Sequence, residues 1–114
     1  MKTKKTLFGG LFVAIALSAT YAIAQDFPNK PIRLVCPFPP GGAVDIASRA
    51  IAQELSKNLG QPVTVDNKPG AGDNLAAELA ARATPDGYTI FYNTSAIVIG
   101  PALYGKVNYD TLKD

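Results

Sequence analysis

The sequence predicts an α/β protein with one parallel β-sheet. Short apolar runs alternate with longer stretches of helical apolar spacing, in the order β-α-β-α-β. Gly- and Pro-rich segments at 37–43 and 67–74, and a polar segment at 93–96, each follow a predicted strand. The predicted strands are parallel and joined by right-handed crossovers. Because parallel strands all point the same way, the three loops that follow them lie at one edge of the sheet. Open α/β sheets bind ligands at that edge, so the sequence predicts a ligand crevice there.

The first strand and helix are defined by clear sequence signals. The apolar run Ile32–Cys36 predicts a short buried strand, which ends where three prolines between 37 and 40 cannot donate ladder hydrogen bonds. A helix is expected over 43–59, and Gly60 ends it. Its predicted apolar stripe has a four-residue repeat, with two flanking residues: Ala43, Ala47, Ile51, Leu55 and Leu59, with Ile46 and Ala50 beside them.

The remaining elements repeat this pattern. Pro62–Asp66 predicts the second strand, and Asp73 or Asn74 is a candidate cap for a second helix. Tyr88–Tyr92 predicts the third strand, and the apolar segment Ile97–Tyr104 is helical or irregular. The second helix carries an apolar side made of Leu75, Ala76, Leu79, Ala80 and Ala83.

The loop after the first strand has the features of an anion site. Gly41 and Gly42 permit close backbone approach or a positive φ. The next helix begins with free N–H groups and a positive dipole end, which together attract anions. We interpret this loop as a carboxylate site, and a turn that only ends the strand is the alternative. Asp45 has two interpretations as well: a helix-start residue suited to the dipole, or a ligand contact.

The N-terminal segment predicts export. Met1–Ala24 combines a charged end, an apolar core and an A-x-A site at its close, so a signal peptide cleaved after Ala24 is expected. A retained membrane anchor is the alternative. Three of the eleven basic residues lie in this leader, which leaves eight basic against nine acidic residues in the rest. The basic balance therefore belongs to the leader, and no nucleic-acid partner is expected.

Several kinds of site are disfavoured. The chain has no histidine, which excludes Ser-His-Asp and Cys-His catalysis, and its one cysteine, Cys36, is expected to be buried in the first strand. Gly70 and Gly72 resemble part of a dinucleotide motif, but Leu75 stands where the third glycine belongs. The carboxylates near the crevice edge are better explained as a helix start, a strand end and a cap than as metal ligands: Asp45, Asp66 and Asp73.

Five short motifs occur in order along residues 27–114. They are Lys30–Val35 leading into Pro37–Gly42 and Asp45, then Leu59–Val63, Asn67–Gly72 with Asn74, Pro85–Thr89 and Pro101–Tyr104. Together these motifs resemble those of the tripartite tricarboxylate transporter receptors, also called Bug-type extracytoplasmic solute receptors of Gram-negative bacteria. The resemblance covers essentially all of the chain after the leader.

The resemblance implies a periplasmic-binding-protein-like α/β fold, in which two lobes close on a small organic acid. It implies delivery of that acid to membrane transporter subunits, with no catalysis, cofactor or metal. Backbone N–H groups of the first loop, partly through water, would hold the ligand carboxylate. The ligand-binding residues carried over from the first and third loops are Phe38, Gly41, Gly42, Ala43, Asp45, Thr94, Ser95 and Ala96.

Three features depart from the family pattern. Asp73 stands where members commonly have glycine and adds negative charge beside the crevice, and Cys36 replaces an aliphatic residue. By this resemblance, residues 25–114 are expected to form part of the first lobe, and the second lobe is expected to be absent from this chain. A secreted α/β enzyme acting on a small acid and a non-functional gene fragment are the alternative hypotheses.

Overall fold

A computed structural model describes residues 26–114 of the chain. Its elements in order are β1 (Ile32–Cys36), α1 (Ala43–Leu59), β2 (Val63–Asn67), a 3₁₀ turn (Ala71–Asp73), α2 (Asn74–Ala81), β3 (Thr89–Phe91) and α3 (Ala96–Tyr104). The predicted α/β class and the bounds of β1 and α1 are confirmed. Strand β2 begins and ends one residue later than predicted, and β3 is two residues shorter. The predicted signal peptide lies outside the described residues.

The three strands form one parallel sheet in the order β2-β1-β3. Strand β1 is therefore the central strand, and its side chains form most of the buried core: Ile32, Leu34, Val35 and Cys36. Helix α1 packs on β1 and β2, while α2 packs on β1 and β3. The first crossover runs from β1 to β2, and the second runs back from β2 past β1 to β3. Because these right-handed crossovers run in opposite directions across the sheet, the helices cover opposite faces. A central strand covered on both faces accounts for the nearly continuous apolar run.

Helix α1 rests on the sheet through small side chains, which corrects the predicted apolar stripe. Its buried residues are Asp45, Ser48 and Ala52. Ile46 and Ile51, which the repeat placed toward the core, are 63% and 42% exposed. The Ser48 hydroxyl donates to the helix carbonyl four residues earlier at 2.8 Å. Because that bond satisfies the hydroxyl, a serine can occupy the buried face at little cost and the helix can lie close to the sheet.

The predicted capping of α2 by Asp73 or Asn74 is wrong. Asp73 occupies the N-cap position, but its side chain makes no capping hydrogen bond. Its φ is 71°, whereas side-chain capping requires an extended backbone at that position. Asn74 is the first helical residue, and its side-chain oxygen accepts a hydrogen bond from the Tyr109 hydroxyl at 2.8 Å. Both side chains therefore join neighbouring segments instead of capping the helix.

Helices α2 and α3 leave apolar side chains exposed in the part of the chain that the structure describes. Ala76 and Ala77 form the buried face of α2, while Leu75 and Leu79 are partly exposed. The largest exposed apolar residues of α3 are Val98, Ile99, Leu103 and Tyr104. None of the helices within residues 26–114 has the length and hydropathy needed to cross a bilayer.

Leu34 provides a test of the core. It is 2% exposed on the central strand, so Leu34→Ala removes buried methyl groups and leaves a cavity. We expect a loss of about 2–5 kcal/mol in the free energy of unfolding, measured by urea titration. Leu112→Ala is the matched control, because Leu112 is 94% exposed and its truncation should change stability by less than about 0.5 kcal/mol. Equal losses in the two variants would contradict the assigned core.

Candidate functional site

The three strands end together at one edge of the sheet. Cys36 pairs with Asn67 at the ends of β1 and β2, and Val35 pairs with Phe91 at the ends of β1 and β3. The loops at 37–42, 68–73 and 92–95 therefore leave the sheet at the same edge, as the sequence predicted. Because the connection after β1 runs to β2 on one side and the chain then returns to β3 on the other side, the order β2-β1-β3 has its topological switch point between β1 and β3. Crevices at such points are the usual ligand sites of open α/β sheets.

The loop after β1 leads directly into the N-terminus of α1. Gly41 has a φ of 89°, a conformation that favours glycine. Gly42 is the N-cap of α1 with φ −80° and ψ 170°, and its carbonyl accepts the first helical hydrogen bond, from the Ile46 N–H at 2.9 Å. The N–H groups of Ala43 and Val44, in the first turn, have no acceptor within the helix. This end of α1 therefore presents backbone donors and a positive dipole to the crevice.

Asp45 is buried and engaged with the loop rather than turned toward solvent. Its side chain is 3% exposed, and its Oδ2 accepts hydrogen bonds from the Gly41 N–H and from Arg49 Nε, each at 2.9 Å. Its Oδ1 accepts a bond from Asn67 Nδ2 at 2.8 Å. Three donors from three segments converge on one carboxylate. Asp45 thus combines the helix-start role with that of holding the glycine loop closed on the helix.

Asn67 links the loop after β1 to the end of β2. Its amide nitrogen donates to the Phe38 carbonyl at 2.9 Å and to Asp45, while its oxygen accepts a bond from Arg49 Nη2 at 3.2 Å. All three bonds arise from the last residue of β2, so the register of β2 against β1 sets the position of the loop. Sequence reasoning did not assign this role to Asn67, because that residue is distant from the loop in sequence. It also missed Arg49, although the i, i+4 spacing of Asp45 and Arg49 on α1 is a recognised signal for an ion pair.

The charge of Asp45 is stabilised by the same contacts. The Arg49 guanidinium, the Gly41 N–H and the Asn67 amide hold the pKa of Asp45 well below its usual range, against the opposing effect of burial. The same carboxylate raises the pKa of Arg49. The anionic side chain next to the predicted ligand loop is therefore neutralised by an adjacent cation, and the donors at the start of α1 remain attractive to an anion.

The loop after β3 forms the other wall of the switch point. The Thr94 hydroxyl donates to Asp73 Oδ2 at 2.6 Å and accepts a bond from the Ala96 N–H at 3.3 Å. Ser95 is the N-cap of α3; its side chain is exposed and makes no capping bond. The predicted residues Thr94, Ser95 and Ala96 thus lie where β3 leads into α3, beside the strand that carries the first loop.

The predicted site residues fall into two groups by availability. Phe38 is half-buried in the loop, and Gly42 and Ala43 are exposed at the helix start. The Gly41 N–H donates its hydrogen bond to Asp45, so the structure gives Gly41 and Asp45 a role in holding the loop. Within residues 26–114, no three side chains of the metal-ligating types cluster. The arrangement suits non-covalent binding of a small anion between two loops.

Comparison with protein families identifies a related group. A family model described as tripartite tricarboxylate transporter family receptor matches residues 47–114. A UPF0065 protein encoded in the tcbD–tcbE intergenic region of Pseudomonas sp. (strain P51) is 39% identical over 97% of this chain and 33% of its own length. BugT of Bordetella pertussis is 37% identical over 92% of this chain and 33% of its own length. The chain therefore spans about a third of the length of the curated relatives it matches.

Several solved structures have the same fold as this chain. A structure described as a periplasmic transporter superposes with a TM-score of 0.72 at 47% identity, over 77% of this chain and 30% of that one. An R. palustris protein solved with adipate gives 0.61 at 40% identity, over 63% and 24% of the two chains. MatC from Rhodopseudomonas palustris with bound malate gives 0.55 at 45% identity, over 57% and 22%.

Asp45 makes the stability of the chain sensitive to acid. Because its pKa is lower in the folded chain than its unfolded value of about 3.9, its ionised form stabilises the fold above that value. This contribution is lost as the pH falls from there toward the folded pKa. We expect the urea midpoint to fall more steeply between about pH 5 and pH 2 in the wild type than in Asp45→Asn. Parallel pH profiles of the two proteins, followed by circular dichroism, would contradict the assignment.

Proposed function

This chain belongs to the tripartite tricarboxylate transporter receptor family, and from that premise we propose that it binds a small organic acid in the periplasm for delivery to a membrane transporter. Residues 25–114 would form part of the first of two lobes, and the ligand would lie between the loops at 37–43 and 93–96. Closure of a second lobe over this crevice would retain the acid. The receptor changes its conformation and leaves the ligand chemically unchanged.

The observation that supports this proposal best is the start of α1 at the switch point. Gly42 and Ala43 offer exposed backbone at a helix N-terminus, next to a buried carboxylate whose charge Arg49 offsets. A ligand carboxylate placed there would meet N–H donors that have no acceptor within the helix. Thr94, Ser95 and Ala96 would contact the ligand from the neighbouring loop.

Related proteins support the choice of ligand class and compartment. One related structure contains adipate and another contains malate, both small dicarboxylates. A third is described as a periplasmic transporter. A delivery role would add transporter subunits of the membrane as partners, as the name of the family indicates. We propose no cofactor, because backbone donors and neutral side chains suffice for the binding of a carboxylate.

Ligand binding is the first test of this function. The purified chain is melted with and without a panel of mono- and dicarboxylates, and one class of acid should stabilise it, by about 2.7 kcal/mol at a hundredfold excess over Kd. Gly42→Val should abolish the effect, because the new side chain covers the N–H groups at the start of α1. A Cβ at Gly42 meets only the Pro39 carbonyl oxygen, at 3.8 Å, and its backbone is extended, so the variant should fold.

The control for this test is Ala50→Val, which adds a comparable side chain on an exposed part of α1 two turns away. It should leave the ligand-induced shift unchanged. A full shift in Gly42→Val would contradict the assigned site. Recovery of a chemically altered acid after incubation, seen by mass spectrometry, would instead favour the enzyme hypothesis.

Export is the second test. If Met1–Ala24 is a signal peptide, the protein recovered from the periplasm of a Gram-negative host begins at Gln25, because the A-x-A site ends at Ala24. Intact-mass measurement of that fraction distinguishes a cleaved chain from one that keeps its leader. Ala24→Leu is a suitable companion variant, since a large residue at the cleavage site should cause the leader to be retained. A wild-type periplasmic protein with its leader intact would argue against the proposed processing.

A further inference from the structure

Asp73 is an unusual carboxylate in the part of the chain that the structure describes. Most acidic side chains there form ion pairs with lysine or arginine, and the three that form none are Asp26, Asp73 and Asp114. Asp26 and Asp114 are exposed at the two ends of the described range, whereas Asp73 is only 7% exposed. A carboxylate withdrawn from water costs free energy unless a counter-charge or several donors replace its hydration. Asp73 is therefore a buried carboxylate without a cation to offset its charge in this part of the chain.

The contacts of Asp73 place it at the crevice. Its Oδ2 accepts a hydrogen bond from the Thr94 hydroxyl at 2.6 Å, which ties it to the loop after β3. No residue within 26–114 donates to its Oδ1. Every fully buried side-chain oxygen in this range has a hydrogen-bond partner, so Oδ1 is not fully buried. Oδ1 is therefore still in contact with solvent. One oxygen of this carboxylate is held by a wall of the switch point while the other remains able to accept a bond.

The two walls of the crevice consequently differ in charge preference. The wall at the start of α1 carries backbone donors, and its one carboxylate, Asp45, is paired with Arg49. The wall formed by Thr94 carries the unpaired charge of Asp73. A simple dicarboxylate would be attracted to the first wall and repelled from the second. A ligand with an anionic group at one end and a cationic group beside it would complement both.

We propose that Asp73 makes this crevice selective for small acids that also carry an ammonium group. This inference rests on the proposed function and specifies its ligand. The ligand carboxylate lies at the N-terminus of α1, and the ammonium group lies near Asp73 and supplies the missing counter-charge. Asp73 acts as a specificity-determining residue, and it is not required for binding a carboxylate as such.

The test compares three acids that differ only in the substituent on C2: succinate with hydrogen, malate with hydroxyl and aspartate with ammonium. Calorimetry gives a Kd for each with the wild-type protein and with Asp73→Asn. Asparagine tolerates the positive φ found at this position, and its side-chain oxygen can still accept the bond from the Thr94 hydroxyl, so the variant should fold. Asp86→Asn is the matched control, since it removes one negative charge in the turn before β3, at the opposite edge of the sheet.

In the wild type and in Asp86→Asn we expect aspartate to bind about tenfold more tightly than succinate, with malate between them. In Asp73→Asn this ratio should fall to near one, through weaker binding of aspartate and equal or tighter binding of succinate. A wild-type protein without this preference, or an unchanged ratio in Asp73→Asn, would overturn the inference while leaving a carboxylate receptor in place. Failure of these three acids and of the whole panel of mono- and dicarboxylates to bind the wild type would instead contradict the proposed function.

Discussion

The structure of the candidate site depends on one buried carboxylate. Asp45 receives donors from the glycine loop, from α1 and from the end of β2, and Arg49 balances its charge. A carboxylate at the start of a helix also suits the helix dipole. Because the donors come from three segments, the loop cannot move without losing bonds to the sheet as well as to the helix. The glycines permit the sharp turn, and Asp45 selects one conformation of it.

Sheet topology then determines what that loop can face. With β1 central and the two crossovers covering opposite faces, the loops after β1 and β3 lie side by side without a helix between them. One loop offers backbone donors, while the other offers hydroxyls, and its Thr94 is bonded to the carboxylate of Asp73 from the loop after β2. The three parallel strands therefore place two loops of different hydrogen-bonding and charge properties on the two sides of the crevice. The chemistry of the ligand is set by these walls more than by the fold, which many unrelated functions share.

Local signals were sufficient for much of the fold. Prolines, Gly60 and the repeat of apolar residues marked the bounds of β1 and α1 correctly, because each acts on its own neighbourhood. The buried face of α1 was assigned wrongly, since serine hydroxyls that bond to their own helix count as polar in any hydropathy pattern. The role of Asn67 was likewise invisible, because it depends on the register that brings β2 alongside β1. Motif resemblance supplied the family, whereas long-range hydrogen bonds came only from the structure.

The sheet order also bears on how the chain acquires its structure. Ile32 pairs with Val63 and Arg33 pairs with Thr89, so both partners of the first strand lie beyond a helix. The described sheet contains no hairpin that could form early from neighbouring residues. Sheets built from such distant pairings assemble slowly, because the chain loses the entropy of closing long loops before the contacts between strands stabilise it. A chain that stays unfolded for longer remains able to pass through a narrow protein-conducting channel, as the proposed export would require.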